Sequence, residues 1–548
     1  MTNAIYSIPR PQNEPVYAYA PGSAEKKLLK DELAKQLKEE IEIPLVIGGK
    51  EIKTGKTMKV VAPHDHKHVL GVCHLGGEKE VKQAIKCALA AKREWENMDW
   101  HQRAAIFMKA GELISQRYRY KMNAATMLNQ SKTCHQAEID STCELIDFCR
   151  FNSHYMQEIY RRQDLHNDKG TWNRVEFRAL EGFVLAVTPF NFTSIAGNLP
   201  MSPALMGNVV LWKPASTALL SNYYLMKIFQ EAGLPDGVIN FLPGRGGSIG
   251  DPAVDSPEFA GLHFTGSTSV FKSIWKRSAN NIDKYRSYPR IVGETGGKDF
   301  IFVHSSANVD EVAVAAVRGS FEYQGQKCSA ASRMYVPKSL WPKIKSRMCD
   351  MINTIKVGDV TDFRNYMGAV IDENSFDNTM NYINIAKKSK DAKILIGGTG
   401  DKKKGYFIQP TVIEALDPHF VTMEEEIFAP VLTVYVYDDK KFVETMDLCD
   451  KTSPYALTGS IFANDRKAVA MAEDALRHCA GNFYINDKPT GAVVGVVVGQ
   501  QPFGGARGSG TNDKAGSSVN LLRWTSQRAI KESLVSPLDY TYAFLKEK

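Results

Sequence analysis

Nine cysteines are scattered through the 548 residues, and one of them stands in a setting suited to chemistry. A thiolate is a strong, soft nucleophile, and lysine or helix-end amides nearby can lower its pKa from about 8.5. Cys328 lies in Phe321-Glu322-Tyr323-Gln324-Gly325-Gln326-Lys327-Cys328-Ser329, where a helix beginning near Val309 runs out at Gly325. The cysteine is therefore predicted in a loop, and Lys327 would activate it if its ammonium pointed inward. A lone cysteine is more often a small buried hydrophobe, the reading that suits the other eight. Thirty-four residues before Cys328, Val292-Gly293-Glu294-Thr295-Gly296-Gly297-Lys298 sets a carboxylate at a strand end, followed by two glycines that permit close approach. Glu294 is a general-base candidate. Alone it would read as a strand-end surface acid; the cysteine loop downstream changes that reading.

Three further elements have the chemistry of phosphate and ribose binding. Gly244, Gly246, Gly247 and Gly250 follow the strand-like run VINFLP with GxGxxxG spacing, a weak signal by itself because such clusters are often turns. Phe264-Thr265-Gly266-Ser267 closes a strand and opens a helix, where free backbone N–H groups and the helix dipole favour a pyrophosphate. Leu211-Trp212-Lys213-Pro214-Ala215-Ser216 places a lysine and a hydroxyl at the carboxyl edge of a strand, where ligands sit in open α/β sheets.

The elements that must position these groups alternate in type. From Gly182 the runs GFVLAV, NVVLWKP, VINFLP, GLHFTG, RIVGE and DFIFV read as strands, separated by helices such as Ser221 to Ala232 and Ser267 to Ser278. Crossovers of that length imply parallel strands with helices on both faces, and a nucleotide-binding fold. A second β/α region runs from near Phe300 through YFIQPTVI, APVLTVYVY, ALTGSIF and GNFYIN. Upstream, helical patterns cover Ala24 to Glu42, Glu80 to Trp95, His101 to about Leu128 and Glu138 to Tyr155. Most of the acids Glu138, Asp140, Glu144 and Asp147 are expected on the surface of the last of these. Tyr160 to Arg178 reads as a hairpin arm, with Leu521 to Leu545 as its partner.

Composition narrows the class. Hydrophobic residues at 43% and charged residues at 24% are ordinary globular usage, and a net charge of +7 from interleaved basic and acidic residues makes no nucleic-acid-binding stripe. Nine cysteines without a CxxC pair form neither a disulfide framework nor a zinc pattern, which fits a reducing compartment and no metal. The first residues carry no targeting pattern, and the most apolar late run, Gly491 to Gly499, falls short of the about 20 residues of a membrane span. A soluble cytoplasmic protein is expected, or a mitochondrial matrix one if a presequence has been removed.

GETGGK, FEYQGQKC, PFNF, KPAS, FTGS, EEIFAPV and PFGG, in the chain's own arrangement, resemble the aldehyde dehydrogenase superfamily over nearly the whole length. PFNFTSIAGN, ALMGNVVLWKP, FEYQGQKCSA, FYINDKPTG and QQPFGGARGSGTND resemble its branch that oxidises L-glutamate γ-semialdehyde to L-glutamate, the second step of proline catabolism. The implied fold is α/β, with a Rossmann-like NAD-binding domain (residues 1–159 and 180–294) and an α/β catalytic domain (295–508). A β-hairpin oligomerisation arm with the C-terminal segment (160–179 and 509–548) completes it, in a homodimer or higher homo-oligomer.

The resemblance also implies roles. Cys328 attacks the aldehyde, the Asn191 amide and the Cys328 backbone N–H hold the oxyanion, and Glu294 activates water against the thioester. Oxyanion donors typically contribute about 3 kcal/mol each. Lys213 and Ser216 face the adenosine ribose, Thr265, Gly266 and Ser267 the pyrophosphate, and Glu426 and Phe428 the nicotinamide ribose and ring. Many family members carry glutamate where Ser216 stands, so NAD is expected as the main cofactor with NADP also admitted. Phe192 and Phe503 would flank the substrate's aliphatic chain, Ser329, Gly491 and Ala492 its α-carboxylate, and Glu144 its ammonium. After TGAVVG the chain carries an extra VVVG before QQPFGG, a departure that bears on Ala492. The alternatives are another semialdehyde dehydrogenase, for instance one for succinate semialdehyde, or a non-catalytic protein on the same fold. Any proline dehydrogenase partner is expected to be a separate protein.

Overall fold

In the computed structural model, residues 4–490 and 498–547 are described. The β-rich runs found in the sequence build two seven-stranded sheets. The first contains β1 (Leu45–Ile47), β2 (Lys50–Ile52), β3 (Phe183–Val187), β4 (Val209–Lys213), β5 (Ile239–Phe241), β6 (Phe259–Thr265) and β7 (Arg290–Glu294). Its spatial order is β7-β6-β3-β4-β5-β1-β2, parallel from β3 to β7 with an antiparallel edge at β1 and β2. The chain builds outward from β3 in one direction and then, at β6, in the other. Open parallel sheets bind ligands at that reversal, outside the carboxyl ends of the strands.

The second sheet contains β8 (Asp299–Val303), β9 (Ala331–Pro337), β10 (Ala392–Ile396), β11 (Thr411–Ala415), β12 (Val431–Tyr437), β13 (Thr458–Phe462) and β14 (Asn482–Ile485). Their order is β10-β11-β12-β9-β8-β13-β14, with only β10 antiparallel to its neighbour. Phe300 and Phe302 of β8 enter one core and Ile301 and Val303 the other, as the two-residue period of a strand requires of a sheet covered on both faces.

The helices α1 (Leu145–Tyr160), α2 (Thr193–Leu205), α3 (Thr268–Asn280) and α4 (Val309–Phe321) matter for the site. The stretch before α1 departs from the expected single α-helix: Glu138–Glu144 winds as a π-helix. Nor are its acids on the surface. Glu138, Asp140 and Asp147 are buried with hydrogen-bond partners, although at Asp147 burial outweighs them and raises the carboxyl to about 7. Glu138 takes Arg119, Tyr19 Oη at 2.6 Å and Asn123 Nδ2 at 2.7 Å; Asp147 takes Asn13 Nδ2 at 2.7 Å and the Glu14 N–H at 2.8 Å. Residues 13–19, far away in sequence, supply three of those five contacts. The first helix also ends early, at Gln36, and Ile41–Ile43 pairs as a strand with Gly71–Cys73.

Thr171–Arg178 pairs antiparallel with Ser526–Ser533, the two-stranded ribbon anticipated from the sequence. Just before it, Leu521 and Trp524 are fully buried in the core of the first sheet. No described helix is long and apolar enough to cross a membrane.

Candidate active site

Parallel strands deliver their carboxyl ends to one edge, so Lys213, Thr265 and Glu294 close β4, β6 and β7 on the same side. The loop leaving β3 brings Phe190, Asn191 and Phe192 to that edge. Cys328 arrives from the other sheet, on the turn between α4 and β9. Cys328, Ser329, Glu294 and Thr265 line one cavity, and Phe192, Phe503 and Glu144 line it too.

The nucleophile turn is built from strained backbone held by buried polar anchors. After α4, Tyr323 (φ 52°), Gln324 (φ 55°) and Gly325 (φ 64°) are all left-handed, unfavourable for the first two. Tyr323 Oη donates to the Gln130 carbonyl at 3.0 Å, Gln324 Nε2 to Ser131 O at 2.9 Å, and the Ile371 N–H to Gln326 Oε1 at 2.9 Å. Lys327 does not activate the thiol. Its ammonium is buried 3.3 Å from Glu322 Oε2, a carboxylate that also receives Arg318. Burial, followed by the charges of Asp299, Glu294 and Glu426, holds Cys328 well above the usual thiol range.

The two glycines after Glu294 have separate reasons. A Cβ on Gly296 would meet Glu426 Oε2 at 2.2 Å, and one on Gly297 would meet the Cys328 carbonyl oxygen at 2.1 Å. The Gly297 N–H donates to Glu426 Oε1 at 2.9 Å. Glu294 Oε2 is buried without a hydrogen-bond partner, and burial raises this carboxyl well above its ordinary range despite Lys514 and the Gly505 N–H.

Asn191 is buried and its Nδ2 donates to the Gln326 carbonyl at 3.1 Å. Beside it, Asp140 caps α2, accepting from the Thr193 and Ser194 N–H groups at 2.9 Å each. Lys132, fully buried, pairs with Asp140 at 2.8 Å and stands over the rings of Phe192 (4.2 Å) and Tyr323 (4.5 Å), bracing the Phe192 wall of the cavity against the turn that carries Cys328. The Ser194 hydroxyl lies 2.9 Å from Glu144 Oε2 and 2.7 Å from Asp140 Oδ1, one proton between two carboxyl groups. Burial and the Asp140 charge push Glu144 up to about 8.

Along the cofactor edge, burial lowers Lys213 to about 8. The Gly266 N–H donates to Glu294 O at 3.2 Å, and Ser267 caps α3 through the Val270 N–H at 3.4 Å. Glu426 is raised to about 7 by burial, and Phe428 takes a left-handed φ of 61° with its ring 5.8 Å from that of Phe190. The donor set fits a dinucleotide: a lysine and Ser216 at one strand end, a capped helix start at the next, a carboxylate held by backbone at the third. Gly491 and Ala492 lie outside the described residues. Lys132 and Asp299 escaped the sequence reading, and Asp140 was expected on the surface, because no local spacing marks a residue that acts by touching another loop.

A family model described as the aldehyde dehydrogenase family matches residues 51–530. The chain belongs to that family. This aldehyde dehydrogenase is 53% identical to the mitochondrial Δ1-pyrroline-5-carboxylate dehydrogenase of Dictyostelium discoideum, over 98% of the chain and 96% of that protein. It is 47% identical to the human mitochondrial enzyme of the same name, over 97% and 94%. The Δ1-pyrroline-5-carboxylate dehydrogenase of Mycobacterium tuberculosis, crystallised with NAD, superposes with a TM-score of 0.95 at 47% identity, covering both chains fully.

Proposed function

We propose that this aldehyde dehydrogenase oxidises L-glutamate γ-semialdehyde, the open form of Δ1-pyrroline-5-carboxylate, to L-glutamate with NAD+, in proline catabolism. One observation carries the reading: the thiol of Cys328 shares its cavity with Glu144, a carboxyl group poised near 8 beside the Phe192 ring. An apolar wall with an acid apart from the base candidate Glu294 suits a short aliphatic aldehyde bearing an ammonium group.

In the proposed sequence the Cys328 sulfur adds to the aldehyde carbon, and the new alkoxide is held by the Asn191 Nδ2–H and the Cys328 N–H. Lys213, Ser216, Thr265, Gly266 and Ser267 hold the adenosine and pyrophosphate, with Glu426 and Phe428 at the nicotinamide end. Bound NAD+ supplies the acceptor for the hydride whose loss leaves a Cys328 thioester. Glu294 in its ionised form then takes a proton from water, hydroxide adds to the thioester carbon, and the carboxylate leaves as the sulfur regains a proton. Glu144 answers the substrate ammonium, Phe192 and Phe503 hold the chain between two rings, and Ser329 with Gly491 and Ala492 receives the α-carboxylate. Ser216 leaves a 2′-phosphate unopposed, so NADP is a secondary cofactor. The ribbon of residues 171–178 and 526–533, with exposed Trp172, joins a second copy of the chain. Nine free cysteines suit a reducing compartment, the cytosol or the mitochondrial matrix.

The test is NADH formation from Δ1-pyrroline-5-carboxylate and from succinate semialdehyde, by wild type and Cys328→Ala. Turnover confined to the first substrate and lost in Cys328→Ala is the expected result. Equal efficiency with succinate semialdehyde overturns the substrate, and unchanged turnover in Cys328→Ala overturns the mechanism.

A further inference from the structure

Asp299 is 1% exposed at the first residue of β8, directly behind the nucleophile turn. One of its oxygens has a clear function: Oδ1 accepts the Thr458 N–H at 2.6 Å, tying β8 to β13. The other, Oδ2, is buried and has no hydrogen-bond partner. Its surroundings are more unusual than its isolation. The point where a Gly297 Cβ would stand is 2.3 Å from Asp299 Oδ2 and 2.1 Å from the Cys328 carbonyl oxygen, so two oxygens that both accept hydrogen bonds crowd the same spot.

Two acceptors packed together in a dry interior repel unless a proton lies between them. A buried carboxylate without a full set of donors costs several kcal/mol and relieves that cost by binding a proton. The neighbouring Lys298 ammonium makes no hydrogen bond to it, since Lys298 Nζ is itself buried without a hydrogen-bond partner, and the two groups act on each other only through their charges. The other ionisable groups facing Asp299 are Cys328, Glu426, Arg333 and Tyr484. Of these only the Arg333 guanidinium favours a carboxylate, and it is turned to the Lys298 carbonyl, to which its Nε donates at 2.7 Å. Burial, with the Glu426 charge added, accordingly raises the Asp299 carboxyl well above its ordinary range.

We propose that Asp299 is a neutral carboxylic acid in the resting enzyme and that its Oδ2–H donates to the Cys328 carbonyl oxygen, making it a positioning residue for the nucleophile turn. Held this way, the peptide unit of Cys328 is fixed from β8 while its thiol and N–H remain turned to the substrate. Neutrality has a second consequence. An ionised Asp299 would stand beside the thiol and oppose thiolate formation, whereas the acid form holds the turn without that penalty. Gly297 is required because any side chain there would fill the place of the proton. This inference rests on Cys328 being the nucleophile.

The experiment compares wild type, Asp299→Asn and Asp299→Ala, with Cys328→Ala as the background for other thiols. Three quantities are read: turnover, the pH profile of Cys328 alkylation by iodoacetamide, and the infrared difference between wild type and Asp299→Asn. An asparagine amide donates to the same carbonyl, so Asp299→Asn should restore most of the turnover that Asp299→Ala loses, a loss of about tenfold for one buried hydrogen bond. Its alkylation profile should stay within about 0.3 pH units of wild type, since no charge has been removed. The wild-type spectrum at pH 7 should hold a protonated carboxyl stretch that Asp299→Asn lacks. An acid shift of about one unit or more in the Asp299→Asn profile means that Asp299 was ionised, and overturns the proposal. So does an Asp299→Asn enzyme as impaired as Asp299→Ala. Should Asp299→Ala fail to fold, the near-isosteric Asp299→Asn still decides through the profile and the spectrum. Failure of the underlying reading looks different: alkylation and turnover would then persist in Cys328→Ala.

Discussion

Asn191 Nδ2 donates to the carbonyl oxygen of Gln326 across 3.1 Å, binding the loop that leaves β3 to the backbone two residues before Cys328. In the proposed mechanism one proton of the amide is spent on alignment and the second is offered to the oxyanion. Asn191→Ala should lower kcat about 10²- to 10³-fold, the usual loss for one oxyanion donor, while Cys328 still alkylates. Steady-state kinetics with a thiol count checks this; turnover within a factor of three of wild type contradicts it.

Glu294 can serve as a base only when ionised, and its carboxyl is raised well above the ordinary range by burial. The hydrolytic step should therefore quicken as pH rises through a range well above that of an ordinary carboxylate. Glu294→Gln should keep a burst of NADH and lose subsequent turnover together with its pH dependence. Rapid-mixing absorbance reads both phases, and a variant lacking the burst as well would assign Glu294 to an earlier step. The stability linkage has the opposite sign: a raised folded-state pKa means the native protein loses stability as pH climbs above the unfolded carboxylate range, a loss Glu294→Gln should remove.

Glu144, pushed up to about 8, is protonated in the resting site at pH 7 and must give up that proton to pair with an ammonium. Binding of L-glutamate should release a proton, seen calorimetrically as an enthalpy that varies with the ionisation heat of the buffer. Glu144→Gln should abolish the release and weaken product inhibition about 10- to 100-fold, the range for a hydrogen bond to a charged group. Unchanged proton release would place the ammonium elsewhere.

A methyl at Gly296 would meet Glu426 Oε2 at 2.2 Å and must push that carboxylate aside. Gly296→Ala should raise the KM for NAD+ at least about tenfold with little change in the KM for aldehyde, since the displaced group lies at the cofactor end. Equal effects on both constants would mean the backbone, not Glu426, had moved.

Ser216 offers no charge to a 2′-phosphate. Ser216→Glu should lower kcat/KM with NADP+ about 10- to 100-fold and leave NAD+ within a factor of three, because like-charge repulsion acts on the phosphate alone. Wild-type efficiencies that are equal for the two cofactors would remove the predicted preference for NAD+.

Much of this protein was legible in one dimension. Strand periodicity and crossover length specify two parallel sheets, because a pattern of two and a pattern of 3.6 are local properties of the chain. The glycines after Glu294, the lysine after LW and the cysteine after QGQK announce their chemistry by type and spacing. The tertiary structure alone decided which charges are buried and whom they face. The acids of residues 138–147 read as a wet helix face, yet residues 13–19, Arg119 and Lys132 close over them. Lys327 would activate its neighbour only if its ammonium pointed inward, a condition the sequence leaves open, and in the fold Glu322 claims it. Asp299 carried no signal at all, being one acid at the start of an apolar strand, until folding buried its second oxygen beside the place a Gly297 side chain would occupy. The physical reason is common to all three. A strand or helix is stabilised by neighbours along the chain, whereas the protonation and orientation of a buried polar group depend on desolvation and on which partners folding presents to it, near or far in sequence.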